Sequence, residues 1–271
     1  MIGIEIRKLF RRPRTWLTLL LLDALPTLVA ILLAITHLGP RPGQGPAFLS
    51  AVLSNGSLFA VAALAIVLPL FLPIAVAVVA GDSVAGEAAA GTLRYLLVRP
   101  VGRTRLLVAK LAAVFTFVGT SVVLVAGTGL VVGRLLLGNQ PLSAAVTSVS
   151  GSNLTAGQIA WRTAISIGYV AFSMLGVAAI ALFLSTVGDS GLAASLGALA
   201  VLIGSSVLLT LDAAHALQPY LPTRYWLSFI DLYRDPILWR NVIRGVALQA
   251  VYVAVFLGAA WANFATKDVT S

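Results

Sequence analysis

Apolar runs long enough to cross a bilayer recur six times along the chain, at 16–35, 58–80, 106–132, 165–187, 192–211 and 246–264. A helical span needs about 20 mainly apolar residues, and each run meets or approaches that length. The connections between them differ. Residues 40–56 are rich in Gly and Pro, which predicts an irregular loop. Residues 138–157 are polar and serine-rich, and "GDSG" at 188–191 reads as a tight turn. The stretch 212–245 is long and aromatic, with Tyr220, Tyr225, Trp226, Phe229, Tyr233 and Trp239, and is expected to re-enter or lie along the outer interface. The pattern predicts an all-α polytopic membrane protein: six transmembrane helices forming one domain over 1–271, with no soluble appendage.

Two patterned segments break the apolar rhythm. The first is residues 1–13, where Ile2, Ile6, Leu9 and Phe10 share one side of a helical wheel and Arg7, Lys8, Arg11 and Arg12 take the other. That suits a helix lying in the headgroup layer, ended by Pro13 before the first span. A plain topogenic charge cluster is the alternative. A signal peptide is not indicated, because no small-residue cleavage site closely follows a short apolar core. The second segment is 81–105, between the second and third runs.

Composition supports lipid as the main solvent. The chain is 59% hydrophobic and 10% charged, against about 25% charged for a soluble domain. It contains no cysteine, so disulfides and thiolate metal sites are excluded. The net charge of +9 is read through topology rather than nucleic-acid binding. Eleven Lys and Arg fall on the side of the termini and of 81–105, and seven on the other. Basic residues favour the cytoplasm, which places both termini inside.

Fragments that imitate catalytic motifs fail on physical grounds. "GEAAAGTL" has the glycine spacing of a phosphate loop, but Thr92 stands where the lysine is needed. "GDSV" and "GDSG" suggest serine nucleophiles, yet His37 and His215 fall on the opposite side of a bilayer core about 30 Å thick from Ser83 and Ser190. Two histidines without cysteine also argue against a catalytic zinc, so no catalytic residue and no metal is assigned. Asp23, inside the first span, is a candidate intramembrane polar site, with a water-facing or helix-facing interfacial role as the alternative. Gly129 and Gly133 permit close helix contact, within one subunit or at a dimer seam.

The segment "GDSVAGEAAAGTLRYLLVRPVGRTRLLVAK" carries the chemistry. As a helix it places Glu87, Gly91 and Arg94 on one face and Ala89, Leu93, Leu96 and Leu97 on the other, with Pro100 ending it. Such a helix either lies flat on lipid or seats in a groove of a cytoplasmic partner. Short tethers mean that a push on it moves the second and third spans together. These residues resemble the cytoplasmic segment of the ABC-2 type (type V) permeases, the integral-membrane subunits of ABC exporters. Glu87, Gly91, Thr92, Leu93, Leu96, Leu97, Pro100, Val101, Arg103 and Lys110 match that family's pattern in order. Phe264, Lys267 and Asp268 are similar to its ending, and the amphipathic start resembles its elbow helix. Ala88 and Ala89 depart from it, standing where charged residues are common.

The resemblance implies a cytoplasmic coupling helix between the second and third spans, with Asp82, Glu87, Gly91, Thr92, Leu93, Leu96, Leu97, Arg99, Pro100 and Arg103 as its ATPase-coupling residues. It implies an elbow helix with Ile2, Ile6, Leu9, Phe10, Arg11 and Arg12. It also implies two copies of a separate ABC ATPase that bind ATP and Mg, and a second permease copy, identical or paralogous. This chain itself would bind no cofactor and no nucleic acid and would not be an enzyme. The setting implied is the cell (plasma) membrane of a bacterium. A self-contained secondary transporter and a non-transporting anchor or sensor of an ATPase complex are the alternatives. No ligand signature stands in the spans, and a hydrophobic or amphipathic cargo is mildly favoured.

Overall fold

The computed structural model describes residues 1–36, 52, 56–89, 91, 102–137, 146–147 and 153–266. Helix α1 spans Ile2–Arg11. Arg12 is extended (φ −77°, ψ 126°), as expected for a residue preceding proline. Pro13 then opens α2, Pro13–Thr36, where its missing N–H costs nothing. The proline therefore starts the second helix as well as stopping the first.

The second apolar run is a broken helix. A 3-10 turn at Gly56–Leu58 leads into α3, Phe59–Val67, and α4 follows as Phe71–Ala89. Pro69 and Pro73 have no amide to give, so the carbonyls of Ala65 and Pro69 lose their i+4 donors and the ladder parts between them. Helix α4 also runs nine residues past the expected end of the span. It closes at Gly91, whose φ of +67° lies in the left-handed region that suits glycine at a helix C-terminus.

Helix α5 spans Arg103–Leu136, α6 Ala156–Val187, α7 Gly191–Leu208 and α8 Trp239–Thr266. Helix α6 begins nine residues before its apolar run, because Thr155 and Gln158 form a reciprocal capping box. Before it, Val146–Thr147 pairs antiparallel with Asn153–Leu154. Between α7 and α8 the chain winds through 3-10 turns at Asp212–Ala214, Gln218–Tyr220 and Trp226–Tyr233.

Among the described residues the protein is all-helical apart from that two-residue pairing. Among the described residues six helices, α2, α4, α5, α6, α7 and α8, are long and apolar enough to cross a membrane. Helices α4 and α6 form the centre. Helix α6 packs on α4 and α8, α4 on α7, and α5 carries α3 and α2. The tightest seam is α3 on α5. A Cβ on Gly133 would overlap the Gly56 carbonyl and lie 2.6 Å from Phe59 Cβ, and one on Gly129 would lie 3.0 Å from Ala63 Cβ. The paired glycines thus serve contact within one chain. Alternating spans leave α1 and the starts of α2, α5 and α7 at one end, called here the near end, with the finishes of α4, α6 and α8. Contacts there confirm it: Arg103 Nη1 donates to Ala265 O (3.0 Å), and Asn263 Nδ2 to Thr186 Oγ1 (3.2 Å).

Candidate functional site

The buried side of α5 near its start reads Leu106, Leu107, Lys110, Ala113, Val114 and Phe117. One cation thus stands in an apolar stripe. Lys110 is only 2% exposed, and a buried ammonium needs compensation from opposite charge and from hydrogen-bond acceptors. It donates to Glu87 Oε2 (2.5 Å) and to the Ser83 carbonyl (2.7 Å), and lies 3.6 Å from Glu5 Oε2. Glu87, 5% exposed, turns its other oxygen to Lys8 of α1. One helical turn along, Arg12 Nη1 reaches Asp82 Oδ2 at 3.1 Å.

Asp82 extends the cluster to α7. A Cβ on Gly191 would lie 2.8 Å from Asp82 Oδ1, so glycine there lets the start of α7 close on the carboxylate. That helix end favours negative charge. Helix α6 adds a hydroxyl beneath. Ser185 Oγ donates to Gly81 O (2.6 Å) and accepts from Val84 N (3.1 Å) and Ala85 N (2.9 Å). A side chain set into a helical ladder in this way is a recognised site of bending. It lies at the root of the two turns that carry Asp82 and Glu87.

This geometry places the sequence-predicted residues as follows. Asp82 and Glu87 come together in the near-end cluster, and Arg103 caps the finish of α8. Thr92, Leu93, Leu96, Leu97, Arg99 and Pro100 lie outside the described residues. Glu87 sits on the last turns of a span rather than on a separate helix. Gly91 has left the helix, so it does not share a helical face with Glu87. In α1, Ile6, Leu9 and Phe10 are half-buried, while Ile2 and Arg11 are exposed. The two-sided wheel becomes three-sided: Glu5, Lys8 and Arg12 turn towards α4 and α5, leaving Arg7 and Arg11 exposed. The sequence pattern points to neither Glu5 nor Ser185, and it offers Lys8 only as part of a polar face and Ser83 only as a rejected nucleophile. The spacing of Glu5, Lys8 and Arg12, three and four apart, was the available signal.

Asp23 lies elsewhere, in the middle of α2, where Thr128 of α5 donates to its Oδ1 at 2.6 Å. Thr128 also borders a groove of about 790 Å³ along α5, with Gly119, Val123, Gly127 and Val131.

At the far end, the segment between α7 and α8 is laid into the bundle. Tyr169 donates to Tyr225 O (2.5 Å), Gln249 to Pro222 O (2.7 Å) and Tyr252 to Tyr220 O (2.8 Å). Gly245 and Gly176 leave the space that the Tyr169 hydroxyl and the Gln249 amide occupy. Tyr233 hydrogen-bonds Thr163 at 2.8 Å. Burial pushes its phenol up to about 12, so it stays protonated.

Residues 1–205 match the family model of the ABC-2 family transporter proteins. The chain belongs to that family. The match covers α1 to α6 and most of α7, and so the whole near-end cluster. No curated protein matches the chain. Membership makes it a multi-pass permease-type membrane component, of a family whose members are membrane subunits, generally non-catalytic, and work with an ABC ATPase.

Proposed function

We propose that this ABC-2 protein is the permease subunit of an ATP-driven exporter, and that the near-end cluster transmits force from the ATPase to the spans. The supporting observation is that Lys110, Glu87 and Lys8 tie the start of α5, the finish of α4 and helix α1 into one unit. That unit holds the two ends of the segment from Asp82 to Arg103, to which the family resemblance assigns ATPase coupling, and it flanks residues 92–101. A displacement of this stretch is shared by three helices instead of being absorbed by one. Asp82 passes it to α1 and to the start of α7.

In this reading two permease copies enclose the pathway in a bacterial plasma membrane, with termini and near end in the cytoplasm. Two separate ATPase subunits bind ATP and Mg and close on ATP; this chain binds neither. The exposed α1 residues Arg7 and Arg11 face the headgroup region. Docking falls to residues 93–99, because Glu87 is occupied within the chain.

The test is co-purification of the chain with its ABC ATPase after Leu96→Asp or Arg99→Glu. Capture of the ATPase should fall at least tenfold while the melting temperature of the chain alone stays unchanged. Full capture by both variants, with ATP hydrolysis still coupled, would remove the docking role.

A further inference from the structure

Within the six apolar runs Asp23 is the only carboxylate and Lys110 the only lysine or arginine. Asp23 lies well inside α2, Pro13–Thr36, with about 15 Å of helix before it and about 20 Å after it at 1.5 Å per residue. That is the depth of the hydrocarbon core rather than of its margin. An ionisable side chain there is costly, and it ordinarily pairs with another or turns fully into the bundle. Asp23 is only half-buried. Thr128 of α5 donates to its Oδ1 at 2.6 Å, but among the described residues no cation forms an ion pair with it. Lys110 is held at the near end by Glu87, the Ser83 carbonyl and Glu5.

Thr128 is also part of the wall of the groove of about 790 Å³ along α5, a volume within the range of ligand pockets, about 300–1,000 Å³. Val123, Leu124, Val131 and Val132 make most of that wall apolar, and Thr120 adds a second hydroxyl. Val123 and Val131 are 59% and 55% exposed, so the groove opens on the outside of the bundle. Asp23 stands behind Thr128, one hydroxyl away from the groove. Its charge acts there without direct contact, because Coulomb attraction falls only with the inverse of distance and is weakly screened away from water. A lipid tail would fill the groove but leave the carboxylate unmatched. A second copy of this chain would bring no cation to this depth, since its apolar runs hold none besides the occupied Lys110.

We propose that the groove along α5 binds an apolar cation, a molecule with a hydrophobic body and a diffuse positive charge, and that Asp23 supplies the countercharge across Thr128. The apolar wall selects the body and the lone carboxylate selects the sign of the charge. A proton would also neutralise Asp23, and the experiment separates the two. As the cargo site, this rests on the permease reading; as a binding site, it stands alone.

The experiment is equilibrium dialysis with the full chain in phosphatidylcholine nanodiscs, whose zwitterionic lipid adds no net charge, and with uptake by empty discs subtracted. Tetraphenylphosphonium should bind saturably. Tetraphenylborate, alike in shape and opposite in charge, should show no saturable binding. Asp23→Asn keeps the side chain's size and an acceptor for Thr128 but removes the charge, and should weaken phosphonium binding at least tenfold. Gly127→Phe should do the same by filling the groove, from a wall position where a Cβ meets nothing within 4 Å. Saturable binding of both ions alike, or undiminished phosphonium binding in either variant, overturns the assignment. So does the absence of saturable phosphonium binding, which would leave Asp23 a protonated acid bonded to Thr128. The comparison of the two ions uses the unaltered protein, so it decides the matter even where a variant fails to fold. No ATPase is needed: failure here leaves the coupling proposal standing, and failure of ATPase capture leaves this site untouched.

Discussion

Lys110 shows what a single side chain decides in this protein. Its ammonium, 2% exposed, is stable in the bundle because Glu87, Ser83 O and Glu5 surround it. Removing one member of a buried pair strands the other, at a cost of about 3–5 kcal/mol. Lys110→Met should therefore lower the melting temperature of the purified protein markedly. Adding Glu87→Leu should restore most of the loss, since the half-exposed Lys8 can then return to water. Equal melting of wild type and Lys110→Met would mean that the cluster does not hold the near end together. Ser185 makes a subtler case. Its hydroxyl meets three backbone groups of α4, so Ser185→Val should destabilise by about 1–3 kcal/mol, through the amides it leaves unmet, as read by the same melts.

Among the elements, the α3–α5 seam depends on the absence of side chains. Gly133→Ala drives a methyl into the Gly56 carbonyl and Phe59, whereas a methyl at Gly127 meets nothing within 4 Å. Both glycines lie within α5, where alanine is intrinsically favoured by about 0.5–1 kcal/mol. The prediction is a change of sign: Gly127→Ala neutral or stabilising, Gly133→Ala destabilising, measured as a pair by thermal unfolding. The elements themselves were legible to different degrees for physical reasons. The six apolar runs announce six spans, because lipid selects on length and apolarity alone. The break at Leu68–Leu70 needs only Pro69 and Pro73, and both stand in the sequence. The early start of α6 was also written there, in Thr155 and Gln158, but an apolar run is blind to a polar first two turns. The spacing of Glu5, Lys8 and Arg12 puts them on one side of α1, but it does not say what that side faces. Whether Lys8 faces water or protein depends on Glu87, 79 residues away, and only tertiary packing brings the two together.

At the scale of the whole molecule, the two ends differ in how their charge is held. At the near end Lys8, Arg12 and Lys110 are matched by carboxylates, while Arg7, Arg11 and Arg105 remain exposed. At the far end Arg162 is 3% exposed and donates to the Arg234 carbonyl, Arg234 pairs with Asp231, and Arg224, Arg240 and Arg244 are exposed. Positive charge near span ends opposes translocation, and with eleven Lys and Arg on its side of the spans against seven on the other, the near end is the one expected to stay in the cytoplasm. The coupling proposal requires the same orientation, because an ATP-burning partner can reach the near end only from that side. With no native cysteine in the chain, the orientation can be read cleanly. A cysteine in place of Arg105, exposed at the start of α5, should resist a membrane-impermeant maleimide in intact cells and react once the cells are opened. A cysteine in place of Leu217, 57% exposed at the far end, should react in both. The reverse pattern would place the Lys110–Glu87 cluster outside the cell, where no ATPase could pull on it, and the force-transmitting role would be lost while the fold stood unchanged.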